Sequence, residues 1–167
     1  APPKDRRALR RELGLPPDKK LVLFGAANVR DPRKGGQLLV RALRNLHQSH
    51  PGVSEKMELM AFGKNIPAFE EQIPFSLHAF HVVDSQEMMV KLYQAADLFV
   101  LPSQQDNLPN TVAEALACGT PVVAFRTGGV PEMIEHGRSG YLAEPGKWRE
   151  LGEGILALLD DGGDAGQ

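Results

Sequence analysis

Short apolar runs recur along this chain: Lys20–Phe24, Met57–Phe62, Phe75–Val83, Leu98–Leu101, Pro121–Phe125 and Ser139–Ala143. Each is too short for a helix of ordinary length, and polar or glycine-rich segments bound them, as for strands. Between them lie segments of helical periodicity. Gly36–Leu46 carries Leu38, Leu39, Ala42, Leu43 and Leu46 on one face. Ile66–Gln72 has room for one or two turns. Ser85 is an N-cap for a helix over Gln86–Ala96, with Glu87 in the first turn, where the helix dipole favours a carboxylate. A further helix starts at Asn110 or Thr111 and stops at Gly119-Thr120-Pro121. A short helix is expected over Pro131–Glu135, and a closing one over Trp148–Leu159 with Leu151, Ile155 and Leu158 on one face. Residues 1–13 form a basic helix ended by Gly14 and Pro16. Strands alternating with helices predict an α/β fold, a parallel sheet of about six strands with helices on both faces.

Loops are expected at GAANVRDPRKGG, with Gly25 ending the first strand, at the polar stretch Gln48–Glu55, and at Ser103–Pro109. Residues 162–167 read as a disordered tail. Leu98–Phe125 forms a strand–loop–helix–strand unit that brings a polar loop and a helix N-terminus together at the carboxyl edge of the sheet. Doubly wound folds bind their ligands at that edge.

Composition narrows the classes little. At 167 residues the chain is long enough for one domain with its own core. A net charge of −2 argues against nucleic acid as a partner. Cys118, the single cysteine, reads as a buried small hydrophobe. There is no run long enough to span a bilayer and no signal-peptide core. The start without Met suggests a fragment of a longer protein. Arg6, Arg7, Arg10 and Arg11 read as a solvated face, with a membrane- or partner-facing patch as the alternative. The histidines His47, His50, His78, His81 and His136 lack metal-ligand spacing, so no metal is expected.

The stretch PSQQDNLPNTVAEALACGTPVVAF, followed by TGGVPEMI and HGRSGYLAEP and preceded by the Lys34-Gly35 pair, resembles the C-terminal, donor-binding domain of a family 4 retaining glycosyltransferase. The similarity runs from about Leu21 to Leu159. It implies a Rossmann-like domain, one half of a GT-B fold, with residues 1–19 as a linker-proximal basic helix and an acceptor-binding domain preceding the chain. It also implies transfer of a hexose from a nucleoside diphosphate sugar (UDP or GDP) with retention, no cofactor, and a role in polysaccharide or glycolipid synthesis. The expected setting is cytoplasmic, with membrane contact only at the periphery. Two competing doubly wound readings are demoted at the first strand. Gly25-Ala26-Ala27-Asn28 does not supply the dinucleotide G-x-G-x-x-G, and the nearest acid, Asp31, lies too far out to resemble a phospho-receiver pair. A non-catalytic sugar-nucleotide module and a sugar-nucleotide epimerase or hydrolase remain as alternatives.

The departing diphosphate must be met by cationic side chains and backbone N–H groups. Lys34 resembles the family's diphosphate-binding lysine, and as a loop residue it is otherwise a surface charge. Where the family often has an Arg after the first strand's glycine, this chain has Ala26, so Arg30 or Arg33 are candidate phosphate contacts. By resemblance Asp106 faces the donor hexose and Glu114 the ribose diol, which a carboxylate suits because its two oxygens accept from two donors. Asp106 alternatively shapes an Asx-turn. For Glu114 a second reading is the capping box Thr111-Val112-Ala113-Glu114. Asn107-Leu108-Pro109 stands where the family often has Gly-Phe-Gly, and Pro109 has no N–H to give. The donor contacts therefore fall to Asn107, Leu108, Asn110 and Thr111, with Gly25 beside them. Val83 resembles a position whose backbone meets the base, and packing explains it equally well. Gly63 reads as a turn or as a close approach to ligand.

Overall fold

A computed structural model describes residues 5–28, 35–105 and 110–165. Six parallel strands form one sheet: β1 (Lys20–Asn28), β2 (Met57–Lys64), β3 (Leu77–His81), β4 (Leu98–Leu101), β5 (Val122–Phe125) and β6 (Gly140–Ala143). Their order is β3-β2-β1-β4-β5-β6. The chain therefore builds outward one way from β1 and, after β4, outward the other way. That reversal opens a crevice between the carboxyl ends of β1 and β4.

The central strands are apolar because both faces are covered: every residue of β4 and β5 is buried, while the edge strand β3 (Leu-His-Ala-Phe-His) has no buried residue. One face carries α2 (Gly36–Ser49) and α8 (Trp148–Ala165), whose Leu39, Leu43, Leu46, Leu151 and Ile155 close over Val22, Phe24, Leu98 and Val100. The other carries α1 (Arg6–Glu12), α5 (Gln86–Ala95) and α6 (Asn110–Ala117), burying Leu21, Leu23, Phe99, Leu92, Tyr93, Val112 and Ala115. Short helices α3 (Val53–Lys56), α4 (Ile66–Glu70) and α7 (Val130–Met133) complete the connections. The Ser85 hydroxyl accepts from the Met88 N–H at 3.2 Å, as its capping role requires. At the end of α6, Gly119 is left-handed (φ 79°) and the Thr120 N–H returns to the Ala115 carbonyl at 2.9 Å, which stops the helix.

Several boundaries differ from the sequence expectation. β1 does not end at Gly25: it runs to Asn28, pairing Asn28 with Lys64 after a register shift, because β2 also continues through Gly63. The expected loop over 48–55 is largely absorbed by the end of α2 and by α3. β3 is shorter than Phe75–Val83: its register against β2 shifts after Ala79, and it ends at His81, which pairs with Phe62 at φ 54°. α8 continues past Leu159 to Ala165, through four of the six residues expected as a disordered tail.

The basic helix also differs. Arg10 is not solvated: it is 5% exposed. It donates to the carbonyls of Ala95 (2.8 Å), Pro17 (3.1 Å) and Lys19 (3.0 Å) and to Asp97 Oδ2 (2.9 Å). The same Asp97 oxygen accepts the Leu21 N–H at 2.8 Å, and Arg6 donates to Oδ1 at 3.4 Å. Arg7 pairs with Asp18, and Arg11 is exposed. The helix begins at Asp5, whose carboxylate accepts the Ala8 N–H at 2.9 Å. Asp97 and Leu21 stand at the amino edge of the sheet, so this cluster pins α1 to the starts of β1 and β4, opposite the crevice.

Candidate active site

The crevice is drawn together by a glycine. Gly35, the residue before α2, is left-handed (φ 72°) and lies against the end of β4: a Cβ there would stand 1.8 Å from the Pro102 carbonyl oxygen. Only glycine permits both the angle and the approach. α2 therefore opens at the reversal point, beside the buried Leu101, Pro102 and Ser103. At Gly25 a Cβ would lie 2.5 Å from the Phe62 ring, which would have to shift to admit it.

On the other side of the reversal, α6 begins at Asn110. Asn110 is already helical, so Thr111 and Glu114 both lie inside α6. A capping box needs the threonine outside the helix and the glutamate at the third position. The helix register excludes that reading of Glu114. Thr111, Glu114 and Cys118 follow one stripe of the helix at spacings of three and four. Asn110 is exposed, Thr111 and Glu114 are half-buried, and Cys118 is buried. Burial raises the Cys118 thiol above its ordinary range, which keeps it inert.

Tyr93 of α5, with no exposed surface, packs in the same buried core as Val112, Ala115 and Cys118. Its ring meets Phe99 edge-on at 5.5 Å, and its carbonyl accepts from the Thr120 hydroxyl at 2.7 Å. Burial first, and then the nearby Glu114 charge, hold the phenol above its ordinary range. The loop after β4 is tethered too: the Thr127 hydroxyl, in the turn after β5, donates to the Gln104 carbonyl at 3.0 Å.

Of the residues expected to carry the chemistry, Gly25, Asn110, Thr111 and Glu114 thus lie at the carboxyl edge on the two sides of the reversal. Val83 sits past the end of β3, two strands from β1, and packs partly buried against the α5-side core. Its neighbour Val82 is 61% exposed. Lys34, Arg30, Arg33, Asp106, Asn107 and Leu108 lie outside the described residues. Tyr93, Ser103 and Thr127 were not singled out from sequence. The one signal for Tyr93 was a hydroxyl at an otherwise apolar core position. Two histidines are committed to protein partners: His78 Nε2 meets Glu58 at 2.8 Å, and His136 Nδ1 accepts the Leu142 N–H at 3.0 Å. Among the described residues no three His, Cys, Asp or Glu side chains gather as metal ligands, and no helix is long and apolar enough to cross a membrane.

A family model described as glycosyl transferases group 1 matches residues 18–161. The chain belongs to that family. This glycosyltransferase domain is 34% identical over 166 residues to a D-inositol 3-phosphate glycosyltransferase of Corynebacterium jeikeium (strain K411), covering 91% of this chain and 38% of that protein. It is 32% identical to the enzyme of the same name from Segniliparus rotundus, covering 93% and 36%. Among solved structures, sucrose-phosphate synthase from Thermosynechococcus elongatus superposes with a TM-score of 0.78 at 27% identity, over 97% of this chain and 41% of that one. Anabaena HepE in complex with UDP-glucose superposes with a TM-score of 0.76 at 25% identity, over 96% and 44%. The glycosyltransferase domain therefore has the architecture of one half of a GT-B fold. It spans under two fifths of the length of the curated relatives it matches.

Proposed function

We propose that this domain is the donor-binding half of a retaining hexosyltransferase that uses a nucleoside diphosphate sugar, UDP-linked in the first instance. The observation that carries the reading is the strand reversal between β1 and β4, flanked by Gly35 on Pro102 and by α6 with Glu114. The UDP-glucose and UDP complexes of HepE make UDP the first base to test. The relatives named for D-inositol 3-phosphate make a phosphorylated polyol the first acceptor.

Glu114 accepts from the ribose hydroxyls. Lys34, with the α6 N-terminus and Arg30 or Arg33, meets the negative charge growing on the diphosphate. Asp106 orients the hexose, and Asn107, Leu108, Asn110, Thr111 and Gly25 contact the donor. The Val83 backbone meets the base. The acceptor oxygen attacks the anomeric carbon on the face from which the phosphate leaves. The carbon–phosphate oxygen bond breaks, and the acceptor proton passes to the departing phosphate. No metal and no protein nucleophile take part. The acceptor half of the cleft comes from a second domain of the full-length protein, so the domain alone binds donor and turns over almost nothing. The protein works in the cytoplasm, touching membrane at most peripherally.

Glu114→Ala is expected to weaken binding of the nucleoside diphosphate about tenfold or more, the effect of roughly 1–3 kcal/mol of lost hydrogen bonding to a carboxylate. Calorimetry on the folded variant checks this, and unchanged affinity would remove Glu114 from the donor site. Lys34→Ala is expected to lower the transfer rate of the full-length enzyme about a hundredfold, more than Glu114→Ala does, because its charge matters most as the bond breaks. Equal single-turnover rates for Lys34→Ala and wild type would exclude it from the mechanism.

A further inference from the structure

Two side-chain oxygens are buried without a hydrogen-bond partner among the described residues: Tyr93 Oη and Ser103 Oγ. Both border the β4–α6 unit that carries the donor site. A buried hydroxyl left unpaired costs about 1–3 kcal/mol, so at a position that only needed packing, phenylalanine would serve better. The rest of Tyr93 is held firmly. Its ring stands edge-on to Phe99 at 5.5 Å, its carbonyl takes the Thr120 hydroxyl at 2.7 Å, and no part of it reaches solvent. It is a rigid post under α6 with one uncommitted donor at its tip.

α6 turns its buried side, Val112, Ala115 and Cys118, toward the sheet and the α5-side core, with Glu114 half-buried beside them. Glu114 and Cys118 both act electrostatically on the phenol, and Cys118 is a buried thiol with little capacity to accept. Glu114 carries the one carboxylate among the groups that act on the phenol, and the two are not hydrogen-bonded in this structure. A carboxylate offers about four lone-pair sites, and a ribose diol uses two of them.

We propose that Tyr93 is a positioning residue for Glu114: its buried hydroxyl donates to one carboxylate oxygen and leaves the remaining lone pairs aimed at the two ribose hydroxyls of the bound nucleotide. The inference rests on the ribose role of Glu114. It adds a residue from a different helix that never touches the donor. It also explains why a fully buried core position keeps a phenol. The hydrogen bond forms in the donor complex, where the carboxylate is drawn into one rotamer. Losing it widens the range of Glu114 conformers without removing the acceptor, so the effect falls on discrimination between sugars more than on folding.

The test compares full-length wild type, Tyr93→Phe and Glu114→Ala. Whichever of UDP, GDP and ADP most raises the wild-type melting temperature is titrated by calorimetry, alongside its 2′-deoxy counterpart. The ratio of the two affinities is a readout that packing alone does not move. Wild type is expected to prefer the ribonucleotide. Glu114→Ala erases the preference. Tyr93→Phe melts at the same temperature or higher, yet binds the ribonucleotide about threefold to tenfold more weakly and loses most of the preference. A Tyr93→Phe protein with the wild-type ratio overturns this inference while sparing Glu114, provided Glu114→Ala still erases the preference. A preference surviving Glu114→Ala overturns the ribose role and this inference with it, as does no binding of any of the three nucleotides.

Discussion

Gly35→Ala is expected to lose donor binding and stability together. The alanine would have to hold φ near 72°, a conformation that costs an L-residue about 1–2 kcal/mol. Its methyl would also stand 1.8 Å from the Pro102 carbonyl oxygen, well inside contact distance, with backbone on both sides. Neither partner is the far end of a flexible side chain, so the start of α2 must lift away from the end of β4. Together these effects amount to roughly 3 kcal/mol, or a melting temperature lower by about 6–12 °C for a domain of this size. The same movement separates the two sides of the crevice, so nucleotide affinity should fall by more than about tenfold even where the protein is folded. Scanning calorimetry with and without UDP reads both effects. A variant that keeps its melting temperature and its affinity would show that Gly35 does not brace the site.

Arg10→Ala is expected to do the opposite, destabilising without touching donor affinity. The guanidinium fork is matched to three carbonyls and Asp97, at 2.8–3.1 Å. Burial pulls the guanidinium below its ordinary range, and the neighbouring Asp97 carboxylate pushes back. Removing Arg10 leaves Asp97, only 16% exposed at its side chain, with the Leu21 N–H and a longer contact to Arg6. Breaking such a buried pair costs about 3–5 kcal/mol. Arg10→Lys should recover little, since one ammonium cannot reach four acceptors arranged for a planar fork. Denaturant titration measures the loss, and nucleotide titration of the folded fraction should match wild type because the cluster lies at the amino edge. A loss below about 0.5 kcal/mol would mean that α1 contributes nothing to holding the sheet.

The two variants separate what could be read along the chain from what could not. Apolar runs bounded by breakers found all six strands, and the Ser85 cap and the stop after α6 were legible because each depends on residues within one turn of itself. The Lys34-Gly35 pair and the Asp106-to-Glu114 spacing pointed to the donor site through family resemblance, and only the Gly35 and Glu114 ends of those signals fall within the described residues. Local spacing was also ambiguous for Glu114. Thr-x-x-Glu fits a cap or a ligand site equally well, and the placement of Thr111 inside α6 decided against the cap.

Hydrophobic period, caps and breakers in the sequence alone determined that this is an alternating α/β domain with a polar loop and a helix start at one sheet edge. The strand order, the burial of Arg10 on Asp97, the seating of Gly35 on Pro102 and the packing of Tyr93 with the buried side of α6 were decided only in three dimensions. Each joins residues about twenty to ninety positions apart, and their chemistry is set by the partner each meets, which no neighbouring residue encodes.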